Sequence, residues 1–407
     1  MSYDEENILS VIDLGSSKIT CLIARVLSPD EIELVGLGVS PSRGIKAGSV
    51  TNIEQTAQSI KEAVEEAEIM SAYTVDNAII NISGKHVKGD NSSGVIAITN
   101  RERVVTPQDI YRVIEAAQAV RIPADQEIMH VLSREFKVDD QTGIKDPTGM
   151  VGVRLESEVH IVTGSITHIQ NTEKAVRTAG IEVADKVLSA LASAEALLTE
   201  GEKDLGVALV DMGAGVIDLI VYSEGGVAYS STICLGGNHI TQDISIGLKT
   251  PMNSAEVLKK NFGCAMASLV DPMEMLEVPS VGERPPRTVP RKELAEIIEA
   301  RLRELFELID HELIKSGYKN TLAGGIIFTG GASLTDEFLT LAEEVIGLGA
   351  SVGSPKGILG ISDKISSPVF STAAGLLYYG ARYKGGMQKT KEKGLLGRMK
   401  SWIKENL

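Results

Sequence analysis

The chain has 407 residues, of which 43% are apolar and only 4% aromatic, so its composition excludes a disordered chain and favours an α/β protein of two or more domains with an aliphatic core. A net charge of −15 argues against nucleic acid as a partner, because duplex binding needs clustered cations against the phosphates. Three cysteines without paired spacing fit a reducing cytoplasm rather than a disulfide framework or a zinc site. The polar start and the lack of an apolar run of about 18 residues predict neither a signal peptide nor a membrane-spanning helix.

The first predicted element is a strand that ends in an acid and a tight turn. Leu9–Ile23 reads LSVIDLGSSKITCLI, in which Asp13 precedes the turn Gly15–Lys18 and a second apolar run follows. Glycine in such a turn lets backbone N–H groups approach a bound anion. Because an acid at the mouth of the turn disfavours a bare phosphate, a bridging cation is implied.

Strands and a helix are predicted after this hairpin. We predict a strand over Ile32–Ser40, a helix that begins at Thr51 in a capping box with Glu54, and another strand over Asn77–Ile82. The pattern then changes, and the next eighty or so residues read as a compact β–α–β–β insertion. Its predicted elements are a short strand, a helix start and two longer strands: Val95–Thr99, Thr106, Ile128–Val138 and Gly149–Thr163.

The unit of strand, acid and glycine turn recurs in the middle of the chain. Leu205–Tyr222 reads LGVALVDMGAGVIDLIVY, with Asp211 at the mouth of the turn and Asp218 within the second apolar run. Because a buried unpaired carboxylate is costly, we predict that Asp218 faces the same site. Helices are predicted just before this unit, over Asn171–Thr178 and Val187–Thr199. Two such hairpins can face one phosphate chain.

The remaining body contains a third glycine turn and several helices. Gly330 and Gly331 follow an apolar run and predict a helix capped by Ser333 or Thr335. Upstream we predict two helices with Ser254 as a cap candidate, an irregular loop with five prolines, and a long helix with charge pairs such as Glu299–Arg303. These four segments are Gly236–Leu248, Asn253–Phe262, Pro272–Pro290 and the stretch from there to about Ser316.

The end of the chain reads as a flexible linker and an amphipathic helix. The apolar stripe of this helix and the cations on its other side are Leu395, Leu396, Met399, Trp402, Ile403 and Leu407, and Arg398, Lys400 and Lys404. The stretch from Lys384 to Leu407 holds seven Lys or Arg against two Glu, so we interpret the helix as one that lies in the interface of an anionic leaflet. A helix docked on its own body or on a partner would need the same stripe and stays an alternative.

The two hairpins and the late glycine turn resemble the actin/Hsp70/sugar-kinase ATPase superfamily and, more narrowly, the FtsA family of bacterial division proteins. The narrower resemblance covers nearly the whole chain and includes GKHVKGDNSSG near Gly84, Ala255–Ala265, Val281–Ile309 and the amphipathic tail. It implies an α/β actin-like ATPase fold, in which two duplicated ribonuclease-H-like domains enclose a nucleotide cleft. The implied parts are subdomain 1A (1–84 and 161–203), an inserted subdomain 1C (85–160), domain 2 (204–383, with 2B at about 237–320), a linker (384–393) and a membrane helix (394–407).

The resemblance also implies ATP and Mg²⁺ as ligands. In the superfamily the two hairpins clamp the β- and γ-phosphates, and the late glycine turn supports the adenosine. Asp13 and Asp211 would hold Mg²⁺ through water, and Asp218 is the catalytic candidate. The implied nucleotide-binding residues are Asp13, Gly15, Ser16, Ser17, Lys18, Asp211, Gly213, Ala214, Gly215, Lys259, Lys260, Gly330, Gly331 and Ser333. Val216 stands where Hsp70-like chains often have a threonine, and no kinase base or sugar-binding signature is present, so weak or absent ATP hydrolysis is expected.

The partners implied by the family are the C-terminal peptide of FtsZ, further copies of the chain, anionic lipids and later division proteins, at the cytoplasmic face of the inner membrane. Arg291, Lys292, Arg301 and Glu304 match or neighbour the family's FtsZ contact position. Two rivals stay open: an active ATPase or small-molecule kinase of the same fold, and a pilus-assembly-type scaffold.

Overall fold

The computed structural model describes residues 7–282 and 284–384, and these form two similar halves with a unit inserted into the first. The first stretch contains β1 (Ile8–Leu14), β2 (Lys18–Ser28), β3 (Glu31–Pro41), β4 (Ile45–Lys46), β5 (Ser49–Val50), α1 (Ile53–Ser71) and β6 (Asn77–Ile82). Strand β1 pairs antiparallel with β2 and parallel with β6. The predicted capping box at Thr51 is wrong. The helix is capped one residue later by Asn52, whose side chain accepts the Gln55 N–H, since asparagine is also a favourable capping residue.

The inserted unit is an antiparallel sheet covered by one helix. It contains β7 (Val87–Ala97), α2 (Pro107–Gln118), β8 (Gln126–Val138), β9 (Gln141–Ile144) and β10 (Arg154–Ser165), with the strand order β7-β10-β8-β9. The helix start at Thr106 is confirmed, since Thr106 and Asp109 form a capping box. Strand β7 begins at Val87, well before the predicted Val95. The prediction missed the first half of the strand because that half is polar and shows no apolar alternation.

The first half closes with α3 (Ile166–Thr178), β11 (Glu182–Leu188), α4 (Ser189–Leu197) and α5 (Glu200–Leu205). Strand β11 pairs parallel with β6. The helix predicted from Val187 therefore begins two residues later, after the strand has ended.

The second half repeats the sheet of the first. It contains β12 (Val207–Met212), β13 (Ile217–Ser223), β14 (Gly226–Ile233), α6 (Gly237–Gly247), α7 (Met252–Phe262), β15 (Met275–Val278), β16 (Arg287–Pro290), α8 (Arg291–Ser316), β17 (Ile326–Thr329), α9 (Phe338–Ile346), β18 (Ala350–Val352), β19 (Ile358–Gly360) and α10 (Ser371–Lys384). The order β14-β13-β12-β17-β18 matches β3-β2-β1-β6-β11, and β19 joins the first sheet beside β3. The predicted duplicated α/β fold is confirmed.

The two sheets and three helical layers alternate. In β12, Val207 and Leu209 pack into the core that contains α4, α10 and the first sheet, whereas Ala208 and Val210 pack into the core that contains α8 and α9. This period of two places the second sheet between two helical layers, as expected for a sheet buried on both faces. Helices α4 and α10 therefore lie between the two sheets.

Three local predictions in the second half are wrong. The proline-rich segment forms the hairpin β15–β16. Its prolines are compatible with this structure because proline is tolerated at strand ends and in the connecting loop. Pro251, not Ser254, precedes α7. Gly331–Leu334 is a short 3₁₀ turn, and the helix predicted there begins only at Phe338. The long helix α8 ends at Ser316 as predicted.

None of the helices within residues 7–282 and 284–384 is long and apolar enough to cross a membrane. The predicted linker and amphipathic helix lie outside the described residues, apart from Lys384 at the end of α10.

Candidate nucleotide site

The turns that follow β1 and β12 face each other across a cleft. A Cβ atom added to Gly215 of the second turn would lie 2.6 Å from the Ser16 hydroxyl oxygen of the first turn. A side chain there would push the turns apart, so this glycine permits their close approach. The cleft between them has a volume of about 350 Å³.

The cleft brings together almost all of the residues that the sequence predicts for nucleotide binding. The predicted residues that line it are Asp13, Gly15, Ser16, Ser17, Lys18, Asp211, Gly213, Ala214, Gly215, Lys259, Lys260, Gly330 and Gly331. Asp218, the catalytic candidate, also lines it. Ser333 does not: it is buried, and its hydroxyl donates to the Gly330 carbonyl at 2.7 Å, so it shapes the turn from behind.

Asp13 is held by an amide from the neighbouring strand. The Asn81 side chain donates to the Asp13 carboxylate at 2.9 Å and accepts the Leu14 N–H at 2.7 Å. Burial, with a smaller contribution from the Asp211 carboxylate, raises the pKa of Asp13 to about 7 against the lowering effects of the Lys18 ammonium and the Asn81 hydrogen bond.

Asp211 is held by two hydroxyls from the helices between the sheets. Ser193 of α4 and Thr372 of α10 donate to the same carboxylate oxygen at 2.8 and 2.9 Å. Burial raises the pKa of Asp211, while these two hydrogen bonds oppose the shift.

Asp218 is the third carboxylate of the cleft, and its hydrogen bonds join the two halves of the protein. Ser83, which follows β6 in the first half, donates to it at 2.7 Å, and Thr232 of β14 donates at 2.6 Å. Burial, with smaller contributions from the Asp211 and Asp13 carboxylates, raises the pKa of Asp218 to about 7 against the lowering effect of the hydrogen bonds from Thr232 and Ser83.

Two buried carboxylates, Asp13 and Asp218, and the half-buried Asp211 at one cleft are costly unless a cation joins them. Within the described residues, no group of three or more His, Cys, Asp or Glu side chains is placed to hold a metal ion by itself. Oxygen donors that are few in number fit Mg²⁺, which keeps several waters and takes the rest of its ligands from substrate phosphates. The chemistry of Asp13 and Asp211 therefore fits a water-mediated Mg²⁺ site.

The three predicted lysines have different surroundings. The Lys18 ammonium lies 3.4 Å from the centroid of the Phe370 ring, and burial lowers the pKa of Lys18 to about 8. Lys259 pairs with Glu256 at 2.7 Å and donates to the Gly237 carbonyl at 3.0 Å, so it ties α7 to α6. The Lys260 side chain is mostly exposed and pairs with Glu256 at 3.1 Å.

Sequence reasoning missed the polar residues that support the carboxylates: Asn81, Ser83, Ser193, Thr232 and Thr372. Most are remote from their partners in the chain, as Thr372 is from Asp211, so no local pattern marks them. Asn81 is the exception, because it is a polar residue at the carboxyl end of an otherwise apolar strand, where ligands bind in α/β sheets.

The four residues predicted to bind a peptide lie on α8, and three of them, Arg291, Arg301 and Glu304, are already paired. Arg301 forms ion pairs with Asp243 of α6 and with Glu304, and Arg291 pairs with Glu274 at 2.9 Å. Lys292 is exposed. Arg291, in the first turn of α8, lies about 15 Å from Arg301 along the helix axis, since a helix rises about 1.5 Å per residue.

Two duplicated sheets with acid-bearing glycine turns that face each other define an actin-like ATPase fold. Solved structures agree. The PilM–PilN type IV pilus biogenesis complex aligns with a TM-score of 0.66 at 15% identity, covering 92% of this chain and 98% of that chain. MreB5 of Spiroplasma citri bound to ADP aligns with a TM-score of 0.55 at 13% identity, covering 95% and 100%.

The sequence comparisons narrow this class to one family. The profile described as cell division protein FtsA matches residues 208–375, and that of the SHS2 domain inserted in FtsA matches residues 84–163. The chain is 42% identical to cell division protein FtsA of Pseudomonas aeruginosa, with 97% of both chains covered. It is 36% identical to FtsA of Escherichia coli K12, with 97% of this chain and 95% of the relative covered. The chain belongs to the FtsA family of cell division proteins.

Proposed function

We propose that this cell division protein binds ATP with Mg²⁺ in the cleft, assembles into filaments and tethers FtsZ to the cytoplasmic membrane. The nucleotide site is supported chiefly by the close approach of the two glycine turns, with the buried Asp13 and the half-buried Asp211 both lining the cleft. In this proposal Ser16 and Ser17 donate to the terminal phosphate and Gly330 and Gly331 support the adenosine, and all four residues line the cleft. Mg²⁺ would neutralise the carboxylates and bridge them to the phosphates.

Equilibrium binding of a fluorescent ATP analogue, with Mg²⁺ and with EDTA, tests the nucleotide site. Asp211→Asn removes one charge from the cation site, so we expect about tenfold weaker binding with Mg²⁺, equivalent to roughly 1.5 kcal/mol for one charge-assisted interaction, and little change in EDTA. Asp76→Asn, an exposed acid elsewhere, is the matched control. Equal affinities for the three proteins in Mg²⁺ would refute the assignment.

We assign slow or absent hydrolysis to the site, with nucleotide acting as a ligand for assembly. In this proposal Asp218 is the candidate to orient an attacking water, but its carboxylate already accepts hydrogen bonds from Ser83 and Thr232. Within the lining of the cleft no histidine is available as a general base. The rival reading, an active ATPase or kinase, predicts ADP production that depends on a small-molecule substrate.

The predicted amphipathic helix supplies the membrane contact in this proposal. Its stripe and its cations (Leu395, Leu396, Met399, Trp402, Ile403 and Leu407, with Arg398, Lys400 and Lys404) suit an anionic leaflet. Each inserted side chain contributes at most about 1.5–3 kcal/mol and each cation about 1 kcal/mol, before the cost of ordering the helix. One tail therefore binds reversibly, whereas a filament that presents many tails stays bound.

The FtsZ peptide is assigned to the α8 surface. Lys292 offers an exposed cation, and Arg301 reaches a peptide only by exchanging its ion pair with Asp243.

Filament formation draws support from the fold, since the MamK double helical filament aligns with a TM-score of 0.51 at 12% identity. We assign residues 85–160 to subdomain 1C, the flanking segments to 1A, and residues 204–383 to domain 2, except that β19 within this last range pairs with β3 of the first sheet.

A further inference from the structure

A second cavity, of about 410 Å³, shares no lining residue with the nucleotide cleft. It lies where the inserted unit meets α4, the β13–β14 hairpin and the end of α10, and we call it the rear cavity. Its lining includes Leu132, Ser133, Leu191, Tyr222, Val227 and Arg382. The Ser133 hydroxyl oxygen is buried and finds no hydrogen-bond partner among the described residues. A polar group of an occupant would satisfy it.

The rim of the rear cavity favours a cationic occupant. Lys203 pairs with Glu200 at 2.9 Å and lies 3.7 Å from Glu195, and Arg382 pairs with Glu195 and with Asp30. Three carboxylates thus face two cations. The side chains of Glu200 and Asp30 are 76% and 81% exposed, so an approaching chain meets their negative charge.

We propose that, in the absence of membrane, the rear cavity binds this chain's own C-terminal segment, residues 395–407. This inference rests on the proposed function, since it uses the same apolar stripe that inserts into lipid. Arg382 lines the cavity two residues before the end of α10, so the chain leaves the described fold beside it. Residues 385–393 reach at most about 30 Å when extended, which is enough to fold back. The segment brings apolar side chains to the part of the lining that contains Leu132, Leu191 and Val227, and three cations to the acidic rim.

Docking and membrane insertion exclude each other, because both bury the same stripe. A short linker gives an effective concentration in the millimolar range, so even weak docking holds the segment in a monomer. The apparent membrane affinity of the monomer then falls in proportion to its undocked fraction. A filament on a membrane reverses the balance, because its many tails bind together. The rear cavity thereby keeps unassembled copies off the membrane.

The single tryptophan of the chain, Trp402, reports the location of the segment without a label. The experiment compares the emission maximum and acrylamide quenching of the full chain with Ser133→Leu, which fills the cavity, and Glu200→Lys, which reverses a rim charge. Neither variant removes a carboxylate support of the nucleotide cleft, and Ser133→Leu breaks no hydrogen bond of the described fold. Glu65→Lys on the exposed face of α1 is the matched charge control.

Without lipid we expect blue-shifted, quencher-protected emission from the wild type and from Glu65→Lys, and solvent-like emission from the two cavity variants. Solvent-like emission from all four proteins would overturn the docking. Protection that grows with protein concentration would also overturn it, because the occupant would then be a second copy.

Anionic vesicles separate this inference from the proposed function. We expect the cavity variants to bind vesicles about tenfold more tightly than the wild type if the segment is docked nine-tenths of the time. If the wild type is protected, the cavity variants are solvent-like and vesicles change neither emission, docking would be supported and the membrane tether rejected. Emission that is solvent-like without lipid and protected with it, equally in all variants, would support the tether and reject docking.

Discussion

Asp218→Asn should stabilise the nucleotide-free protein at pH 8 but not at pH 5. Burial raises the pKa of Asp218 from 3.8 to about 7, so the folded state holds this proton more tightly than the unfolded state. The contribution of the group to stability is complete below about pH 4, the unfolded pKa, and is lost as the pH rises through about 7. A shift of about three pKa units corresponds to roughly 4 kcal/mol of unfolding free energy lost at pH 8.

The asparagine removes the buried charge at some cost in hydrogen bonding. Ser83 and Thr232 both donate to the carboxylate, and the loss of one of these bonds costs about 1 kcal/mol. The net gain at pH 8 is therefore about 2–3 kcal/mol, which raises the Tm by roughly 5–10 °C for domains of this size. At pH 5 the wild-type carboxyl is already largely protonated, and we expect no gain.

The assay is thermal unfolding in EDTA, without nucleotide, at pH 5 and pH 8. Asp76→Asn, which lies in an exposed position, should leave the Tm unchanged at both pH values. A destabilisation of Asp218→Asn by the same amount at both pH values would refute the reasoning, because the carboxylate would then act as a favourable structural group rather than as a buried charge.

Three further predictions concern the cleft and α8. Gly215→Ala places a Cβ atom 2.6 Å from the Ser16 hydroxyl oxygen and should accelerate nucleotide release in stopped-flow displacement. The control Gly201→Ala should not, because no atom lies within 4 Å of its added Cβ. Equal release rates in the two variants would contradict the contact of the turns. Because burial lowers the pKa of Lys18 to about 8, nucleotide affinity should fall between pH 7 and pH 9 as the ammonium loses its proton, and Lys18→Gln should abolish that dependence in titration calorimetry. Lys292→Glu should weaken binding of an FtsZ C-terminal peptide without changing the Tm. Arg301→Ala should lower both the peptide affinity and the Tm, since it leaves Asp243 without its Arg301 partner. Unchanged peptide affinity in both variants would move the peptide site away from α8.

Patterns that lie within one short segment were predictable from the sequence. The strand–acid–turn unit at Asp13 and at Asp211 occupies contiguous residues, and its repetition predicted the duplicated sheets. Helix α8 was predictable from its charge pairs, and the Glu299–Arg303 pair is present at 3.1 Å. The cap at Thr106 was equally local.

Long-range polar contacts were not predictable. Ser193 and Thr372 meet at Asp211 because α4 and α10 pack so closely that a Cβ atom on Gly375 would lie 1.7 Å from the Ala192 carbonyl oxygen. No single segment encodes that approach. The hairpin β15–β16 was missed for the opposite reason: its prolines dominate the local pattern, although the two strands on either side of the connecting loop pair with each other.

The central claim, that the chain tethers FtsZ to the membrane, is tested most directly by co-sedimentation of the full chain with anionic liposomes and ATP, with FtsZ present and absent, beside Trp402→Glu. The account predicts that the wild type pellets and carries FtsZ down, while the variant leaves both proteins in solution. If Trp402→Glu pellets with FtsZ as well as the wild type does, the C-terminal segment is not the membrane anchor and the account is wrong.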